Sequence, residues 1–202
     1  MALSLFNLIH QKYTYGRRVS RLCNHLADIL PHGANVLDVG CGDGHLASLI
    51  MQLRPDLKIQ GIDVLVRPAT KIPVAPFDGD IIPFATGSFD FVIFSDVLHH
   101  TTDPLILLRE ATRVATKAVV LKDHLCDGFL AGATLKFMDQ VGNSRHGVAL
   151  PYNYWPKQRW LDAFNSLGLS IVAWKEDLRL YPSWANFIFG RSLHFVARLD
   201  VQ

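Results

Sequence analysis

The feature that most constrains the fold is a glycine-rich loop within residues 36–46, whose sequence is VLDVGCGDGHL. An apolar run ends at Asp38 and Val39, three alternate glycines follow, and a segment with helical spacing begins after them. Glycine suits such a turn because a side chain would block both the sharp change of direction and a ligand that approaches the backbone. The segment therefore predicts a strand, a tight loop and a helix, with the loop as a cofactor site.

The loop departs from the dinucleotide-binding pattern, in which three glycines are spaced G-x-G-x-x-G. The third glycine here is Gly44, and His45 stands where that pattern has glycine. Asp38 and Asp43 flank the loop, and two carboxylates would repel a pyrophosphate but attract a cation. The loop therefore favours a sulfonium ligand, and a nicotinamide-dependent reductase is kept as the alternative enzyme.

These residues resemble the first motif of the class I S-adenosylmethionine-dependent methyltransferases, in which an acid precedes G-x-G-x-G. The match consists of Asp38, Gly40, Gly42 and Gly44, and Cys41 lies inside it. The resemblance implies S-adenosylmethionine as the cofactor. It also implies an α/β fold, a Rossmann-like doubly wound sheet of seven mostly parallel strands with a terminal antiparallel pair. A non-catalytic protein that binds this cofactor is the third interpretation.

Composition favours one globular domain that acts on a small molecule. The chain has 202 residues, of which 50% are hydrophobic, a size that allows a large core. A net charge of +2 without a Lys/Arg block argues against a nucleic-acid partner. Three widely spaced cysteines, Cys23, Cys41 and Cys126, indicate neither disulfides nor a paired zinc pattern, which favours the cytoplasm. The hydrophobic fraction leaves a homodimer open.

Residues 1–33 are expected to form an N-terminal helical lid of two helices. The first nine residues are apolar, but they lack a preceding basic residue and a span near 20 residues, so we expect neither a signal peptide nor an integral membrane helix. Between the helices, Tyr15 and Arg18 are expected to contact the cofactor through an aromatic face and its carboxylate. A surface turn with solvated arginines is the alternative.

Acids after the second and third predicted strands are also expected at the cofactor. Asp63 stands 19 residues beyond Gly44, where a βαβ unit returns a carboxylate to the ribose hydroxyls, and Val64 follows it. The family resemblance places Asp78 at the adenine amino group, with Gly79 contributing backbone and Asp80 as the less favoured acid. For both acids, a role as a plain turn former is the alternative.

Prolines indicate where this chain departs from the family pattern. Pro68, Pro73 and Pro76 interrupt the region after the second strand, so the helix expected there should be short or absent. Residues 72–77 are predicted to form a strand at the sheet edge, because proline cannot donate to a ladder. Further strands are predicted near residues 91–94, 118–121, 170–174 and 194–199.

The fourth predicted strand ends at Ser95, which is expected at the cofactor because ligands bind at the carboxyl ends of such strands. The following stretch, DVLHH at residues 96–100, resembles small-molecule methyltransferases, including those of quinone biosynthesis. The Asn/Asp-Pro-Pro-aromatic motif of enzymes that methylate the exocyclic amines of bases is missing. A nucleic-acid base is therefore a poor acceptor candidate.

Three side chains just beyond strand ends are candidate general bases: His100, Asp123 and His124. Histidine is the side chain best poised to accept a proton near neutral pH. A structural or solvated role is the alternative for each. Spacings such as H-x-x-x-H or C-x-x-C are missing around His99 and Cys126, so the sequence predicts no metal site.

The connection over residues 125–155 is too long for an ordinary loop, which indicates an inserted substrate cap. An aromatic segment within it is expected to bind the acceptor, and comprises Tyr152, Asn153, Tyr154 and Trp155. We therefore divide the single domain into the lid, a cofactor-binding core over residues 34–124, the cap, and a C-terminal helix with a strand pair over residues 156–202.

Overall fold

The computed structural model describes residues 16–143 and 151–202, and these residues form a seven-stranded sheet with the order β3-β2-β1-β4-β5-β7-β6. The strands are β1 Asn35–Val39, β2 Lys58–Asp63, β3 Val74–Pro76, β4 Phe89–Ser95, β5 Ala115–His124, β6 Ser170–Lys175 and β7 His194–Asp200. Strands β1 to β5 are parallel, and β7 pairs antiparallel with both β5 and β6. The predicted doubly wound sheet with a terminal antiparallel pair is confirmed.

Six α-helices accompany the sheet in the described part of the chain. They are α1 Gly16–Ile29, α2 His45–Leu53, α3 Pro104–Val114, α4 Ala131–Asn143, α5 Lys157–Ser166 and α6 Ser183–Phe189. The start of α3 is an example of a boundary that the sequence specifies. The Asp103 side chain accepts a hydrogen bond from the Leu105 amide at 3.0 Å, and Pro104 occupies the first helical position. Helix α6 was not predicted from the sequence.

The connections on either side of β3 contain no helix, and residues 64–88 are all described. This confirms the interpretation of the prolines, and β3 lies at the sheet edge as predicted, with Pro76 opposite Asp63. Of the expected lid, α1 is observed, whereas the first helix and Tyr15 lie outside the described residues. None of the described helices is long and apolar enough to cross a membrane.

Hydrophobic layers cover both faces of the sheet. One contains Trp155, Trp160 and Phe164, and the other contains Leu26 and Ile50 from the helices that flank β1. The central strands are buried on both sides, which is the normal environment of parallel strands. Burial continues to the polar carboxyl end of β5, so the last three residues of that strand are charged or titratable side chains inside the protein.

Candidate functional site

The glycine-rich loop connects β1 to α2 and forms one wall of a cleft. Gly42 has a left-handed backbone with φ 61°, and a Cβ atom built there would have no heavy atom of the described residues within 4 Å. Gly40 also has a positive φ, of 72°, but a Cβ there would lie 2.7 Å from a methyl group of Val97. At position 40, packing against Val97 requires glycine. At position 42, the left-handed backbone favours glycine, and the space in front of the residue is open.

Asp63, at the end of β2, holds the loop in place. Its Oδ2 accepts a hydrogen bond from the Gly42 amide at 2.7 Å, and its Oδ1 accepts one from the Leu65 amide at 2.8 Å. Each carboxylate oxygen can accept a further hydrogen bond, because a carboxylate has about four acceptor positions. Asp63 lies in the cleft lining. The structure therefore presents a carboxylate at the position predicted for a ribose contact.

The cleft has a volume of about 900 Å³ and lies at the carboxyl ends of β1, β2 and β4, where the strand order reverses. Six of the predicted cofactor residues line it: Gly40, Cys41, Gly42, Asp63, Val64 and Gly79. Of the predicted bases, His100 lines it. Among the described residues, the lining does not include Asp38, Gly44, Asp78, Ser95 or Arg18. The cleft therefore brings together residues of the glycine-rich loop, the end of β2, the acidic turn before β4 and the histidine segment after β4.

Asp38 and Cys41 show how strongly the loop is buried. Burial, and then the charge of Asp63, raise the pKa of Asp38 to about 7. Burial also raises the pKa of the Cys41 thiol, so this residue is a neutral thiol at physiological pH. Asp38 is 6% exposed and stands behind the loop.

The raised pKa of Asp38 makes the free energy of unfolding depend on pH. The pKa of Asp38 is about 7 in the folded protein, and near 3.9 in the unfolded chain. The contribution of Asp38 to the free energy of unfolding is therefore fully present below about pH 4 and is lost as the pH rises through about 7. The total loss is up to about 4 kcal/mol. We expect Asp38→Asn to reduce the fall in thermal midpoint between pH 5 and pH 8. Asp43→Asn removes a charge from the same loop at a half-buried position and should keep the wild-type fall. Equal falls in the wild type and Asp38→Asn would contradict this assignment.

The acidic turn before β4 differs in detail from the expectation. Asp78 Oδ1 accepts hydrogen bonds from the Asp80 amide at 2.9 Å and the Ile81 amide at 2.8 Å, which are contacts of a turn former. Those backbone donors lower the pKa of Asp78. Asp80 lies in the cleft lining, and Asp78 does not. Asp80 is therefore the acid of this turn that lines the cleft, although the sequence favoured Asp78.

An ion-pair group closes the far end of the cleft. Asp96, which follows β4 and lines the cleft, pairs with Arg18 of α1 at 2.6 Å and with the fully buried Lys122 of β5. Burial by itself would raise the pKa of Asp96, but Lys122 and Arg18 outweigh it and hold that pKa well below its usual range. Arg18, predicted to contact the cofactor carboxylate, is therefore engaged by a carboxylate of the protein.

Behind this group, Asp123 joins two histidines. His99 Nδ1 lies 2.7 Å from Asp123 Oδ1, and the other Asp123 oxygen accepts a hydrogen bond from the Leu98 amide at 3.0 Å. Burial opposes protonation of His99, yet Asp123 and Asp139 raise its pKa to about 10. Burial and Lys122 lower the pKa of His124 to about 4, so His124 is neutral at pH 7. Neither Asp123 nor His124 lines the cleft.

The segment predicted to bind the acceptor packs against this histidine group. Asn153 donates from its backbone to the His99 carbonyl and from its side chain to the Thr101 carbonyl, both at 3.1 Å, and Tyr154 donates its hydroxyl proton to Asp139. Trp155 is 1% exposed and belongs to the core. In the described part of the chain, none of Tyr152, Asn153, Tyr154 and Trp155 lines the cleft. The segment supports the wall of the site from behind.

Comparison with known proteins agrees with this geometry. A family model described as a methyltransferase domain matches residues 9–173. The malonyl-(acyl-carrier protein) O-methyltransferase of Legionella pneumophila is 31% identical over 105 residues, which cover 47% of this chain and 37% of that protein. A ubiquinone biosynthesis O-methyltransferase of Xanthomonas oryzae is 30% identical over 95 residues, which cover 41% and 38%. The chain therefore spans about two fifths of the length of these curated relatives.

A solved structure supports the fold over nearly the whole chain. The S-adenosylmethionine-dependent methyltransferase from Aquifex aeolicus superposes with a TM-score of 0.63 and covers 95% of both chains. The sequence identity is 15%, so this likeness concerns the fold alone.

Proposed function

The chain belongs to the methyltransferase domain family, and from that premise we propose that it transfers a methyl group from S-adenosylmethionine to a small-molecule acceptor. The observation that carries the proposal is the contact between Asp63 and the Gly42 amide, which places a carboxylate and an unobstructed loop backbone at one end of the cleft. A ligand with ribose hydroxyls and a cationic centre would suit such a site. We also propose a cytoplasmic location, from the cysteine usage.

The described residues fit this donor in two further respects. Val64 and Leu65 line the cleft and are 61% and 46% exposed, although both are apolar. A bound adenine ring would cover them, and Gly79 and Asp80 on the opposite connection would contact its polar edge. We keep Asp78 as a residue that shapes this turn through its two backbone hydrogen bonds.

S-Adenosylmethionine supplies an activated methyl group on a sulfonium, and in-line displacement then depends mainly on alignment with the acceptor atom. We propose that His100 removes the proton of that atom, because His100 is the candidate base that lines the cleft. Asp123 and His124 are buried behind it, so we assign them positioning roles through His99.

The acceptor is proposed to be small, partly apolar and methylated on oxygen. Val19, Val97 and Leu107 line the cleft and would provide apolar contacts. The two curated relatives described above are both named O-methyltransferases, which favours oxygen over nitrogen or carbon. A hydroxyl is also a weak nucleophile that benefits from a general base, consistent with the role proposed for His100.

Replacement of Asp63 by alanine tests the donor site. We expect Asp63→Ala to weaken S-adenosylmethionine binding by about 10-fold to 100-fold, equivalent to about 1.5–3 kcal/mol for hydrogen bonds to a charged acceptor. Isothermal titration calorimetry measures this, with circular dichroism to check the fold. Asp90→Ala is a matched control, since Asp90 also accepts a backbone hydrogen bond, from Asn35 at 2.9 Å, but does not line the cleft. Unchanged affinity in a folded Asp63→Ala protein would remove Asp63 from the site.

A further inference from the structure

Three buried side chains of metal-ligand type converge where β4 and β5 end. His99 Nδ1 lies 2.7 Å from Asp123 Oδ1, and His124 Nδ1 lies 3.3 Å from each of these two atoms. The three residues are 1%, 0% and 2% exposed. Together the atoms form a compact triangle of two imidazole nitrogens and one carboxylate oxygen.

We propose that His99, Asp123 and His124 bind a divalent transition-metal ion, for which Zn²⁺ is the best match. A tetrahedral Zn²⁺ ion with bonds of about 2.0–2.2 Å holds neighbouring ligand atoms about 3.3–3.6 Å apart. Two sides of the triangle, both 3.3 Å, match this spacing, and the 2.7 Å side between His99 Nδ1 and Asp123 Oδ1 must lengthen by about 0.6 Å when the ion binds. The 2.7 Å contact between His99 Nδ1 and Asp123 Oδ1 requires a proton on that nitrogen, and the Nδ1 atom of His124 lies 3.3 Å from both atoms. A metal ion bound here would replace that proton at the centre of the three atoms.

The surroundings of the triangle have the arrangement found behind metal ligands. The nitrogen of His99 that faces away from it, Nε2, lies 3.3 Å from Asp139 Oδ2, and the corresponding nitrogen of His124 lies 3.7 Å from Asp96 Oδ1. The free oxygen of Asp123 accepts a hydrogen bond from the Leu98 amide. Carboxylates behind ligating histidines and a hydrogen bond to a ligating carboxylate orient a metal site and tune its affinity.

The charge distribution also favours a cation. Asp96 pairs with both Arg18 and Lys122. Within residues 16–143 and 151–202, the ion pairs of Asp123 and Asp139 are made with histidine rings instead. A metal ion displaces the proton of His99, because only an unprotonated imidazole nitrogen binds a metal, and the two buried carboxylates then need the charge of the ion in place of the imidazolium. A dication at the triangle would compensate them.

The donor set narrows the choice of ion. Two nitrogens and one oxygen suit Zn²⁺ and the neighbouring first-row ions, whereas Mg²⁺ and Ca²⁺ prefer oxygen ligands throughout. Sequence spacing could not indicate this site, because His99 and Asp123 are 24 residues apart and meet only when β4 and β5 pair. These three residues would bind the ion whether or not the cleft transfers a methyl group.

Cobalt binding to the full-length protein tests the proposal. After prolonged dialysis against a chelator and then against chelator-free buffer, the wild-type protein is titrated with Co²⁺, whose visible d–d bands report nitrogen ligation. We expect about one Co²⁺ per chain, displaced by Zn²⁺ and not by Mg²⁺, and an increase in thermal midpoint on metal addition. A wild-type protein that takes up no Co²⁺ at about 100 µM, and that contains no bound transition metal as purified by mass spectrometry, would overturn the proposal.

Two variants locate the ion. His124→Asn should weaken Co²⁺ binding by at least about 100-fold, because it removes one of three ligands. His100→Asn is the matched control, since His100 stacks beside His99 with ring centroids 4.1 Å apart but contributes no atom to the triangle, and it should bind Co²⁺ as the wild type does. Loss of binding in His100→Asn with retention in His124→Asn would place the ion with His99, His100 and Asp139 and contradict the proposed site. If His124→Asn does not fold, the wild-type titration alone decides the outcome.

Discussion

Replacement of Gly42 by valine is expected to abolish measurable S-adenosylmethionine binding, with a loss of affinity of at least about 100-fold. Within residues 16–143 and 151–202, no atom lies within 4 Å of a Cβ at this position, so the branched side chain would extend into the cleft that the donor is proposed to occupy. The left-handed backbone, with φ 61°, adds a folding cost of about 1–2 kcal/mol. Calorimetric titration together with thermal unfolding separates the two effects.

Gly33→Val is the matched control for this experiment. Gly33 has a φ of 71°, and a Cβ built there has no neighbour within 4 Å in the described part of the chain, so valine at this position carries a similar backbone cost. It lies before β1, away from the cleft lining. We expect Gly33→Val to lose stability but to bind the donor with wild-type affinity. If Gly42→Val binds with near-native affinity, or if both variants lose binding equally, the loop is not the donor cradle.

Replacement of His100 by alanine should lower turnover by about 10²–10⁴-fold while the affinity for S-adenosylmethionine stays almost unchanged. This range is the usual contribution of a general base, and His100 is the candidate base that reaches the cleft. The measurement is single-turnover formation of S-adenosylhomocysteine with an acceptor found by screening cell extracts for newly methylated small molecules.

His124→Asn provides the comparison for His100→Ala. His124 was an equally good candidate from the sequence, but it is 2% exposed and does not line the cleft. A positioning role predicts a smaller loss of turnover than that of His100→Ala. Full activity of His100→Ala across pH 6 to 9, or a larger loss in His124→Asn, would exclude His100 as the base.

Local sequence patterns were sufficient for most of the fold. The glycine-rich loop, the Asp103-Pro104 helix start and the apolar strands each depend on interactions among residues close in the chain, so spacing alone specifies them. The same holds for β3, because the prolines that restrict it to the sheet edge act on their own backbone. The position of Asp63 could also be predicted, since a βαβ unit has a nearly fixed length.

The polar part of the site could not be predicted in the same way. Arg18 and Asp96 are 78 residues apart in the chain, and their pairing depends on how α1 packs against the sheet. Asp78 and Asp80 are both acids in one turn, and only the backbone conformation determines that Asp80 reaches the cleft. Trp155 belongs to an aromatic segment that could equally have formed a cap surface, but it is buried in the core.

The central claim is that the cleft beside Gly42 and Asp63 binds S-adenosylmethionine, and equilibrium titration of the unmodified protein tests it most directly. S-Adenosylmethionine and NADH are titrated separately by calorimetry, and then S-adenosylmethionine is titrated in the presence of saturating NADH. We expect one saturable site for S-adenosylmethionine whose affinity does not change when NADH is present. Tighter saturable binding of NADH, or no binding of S-adenosylmethionine, would contradict the claim.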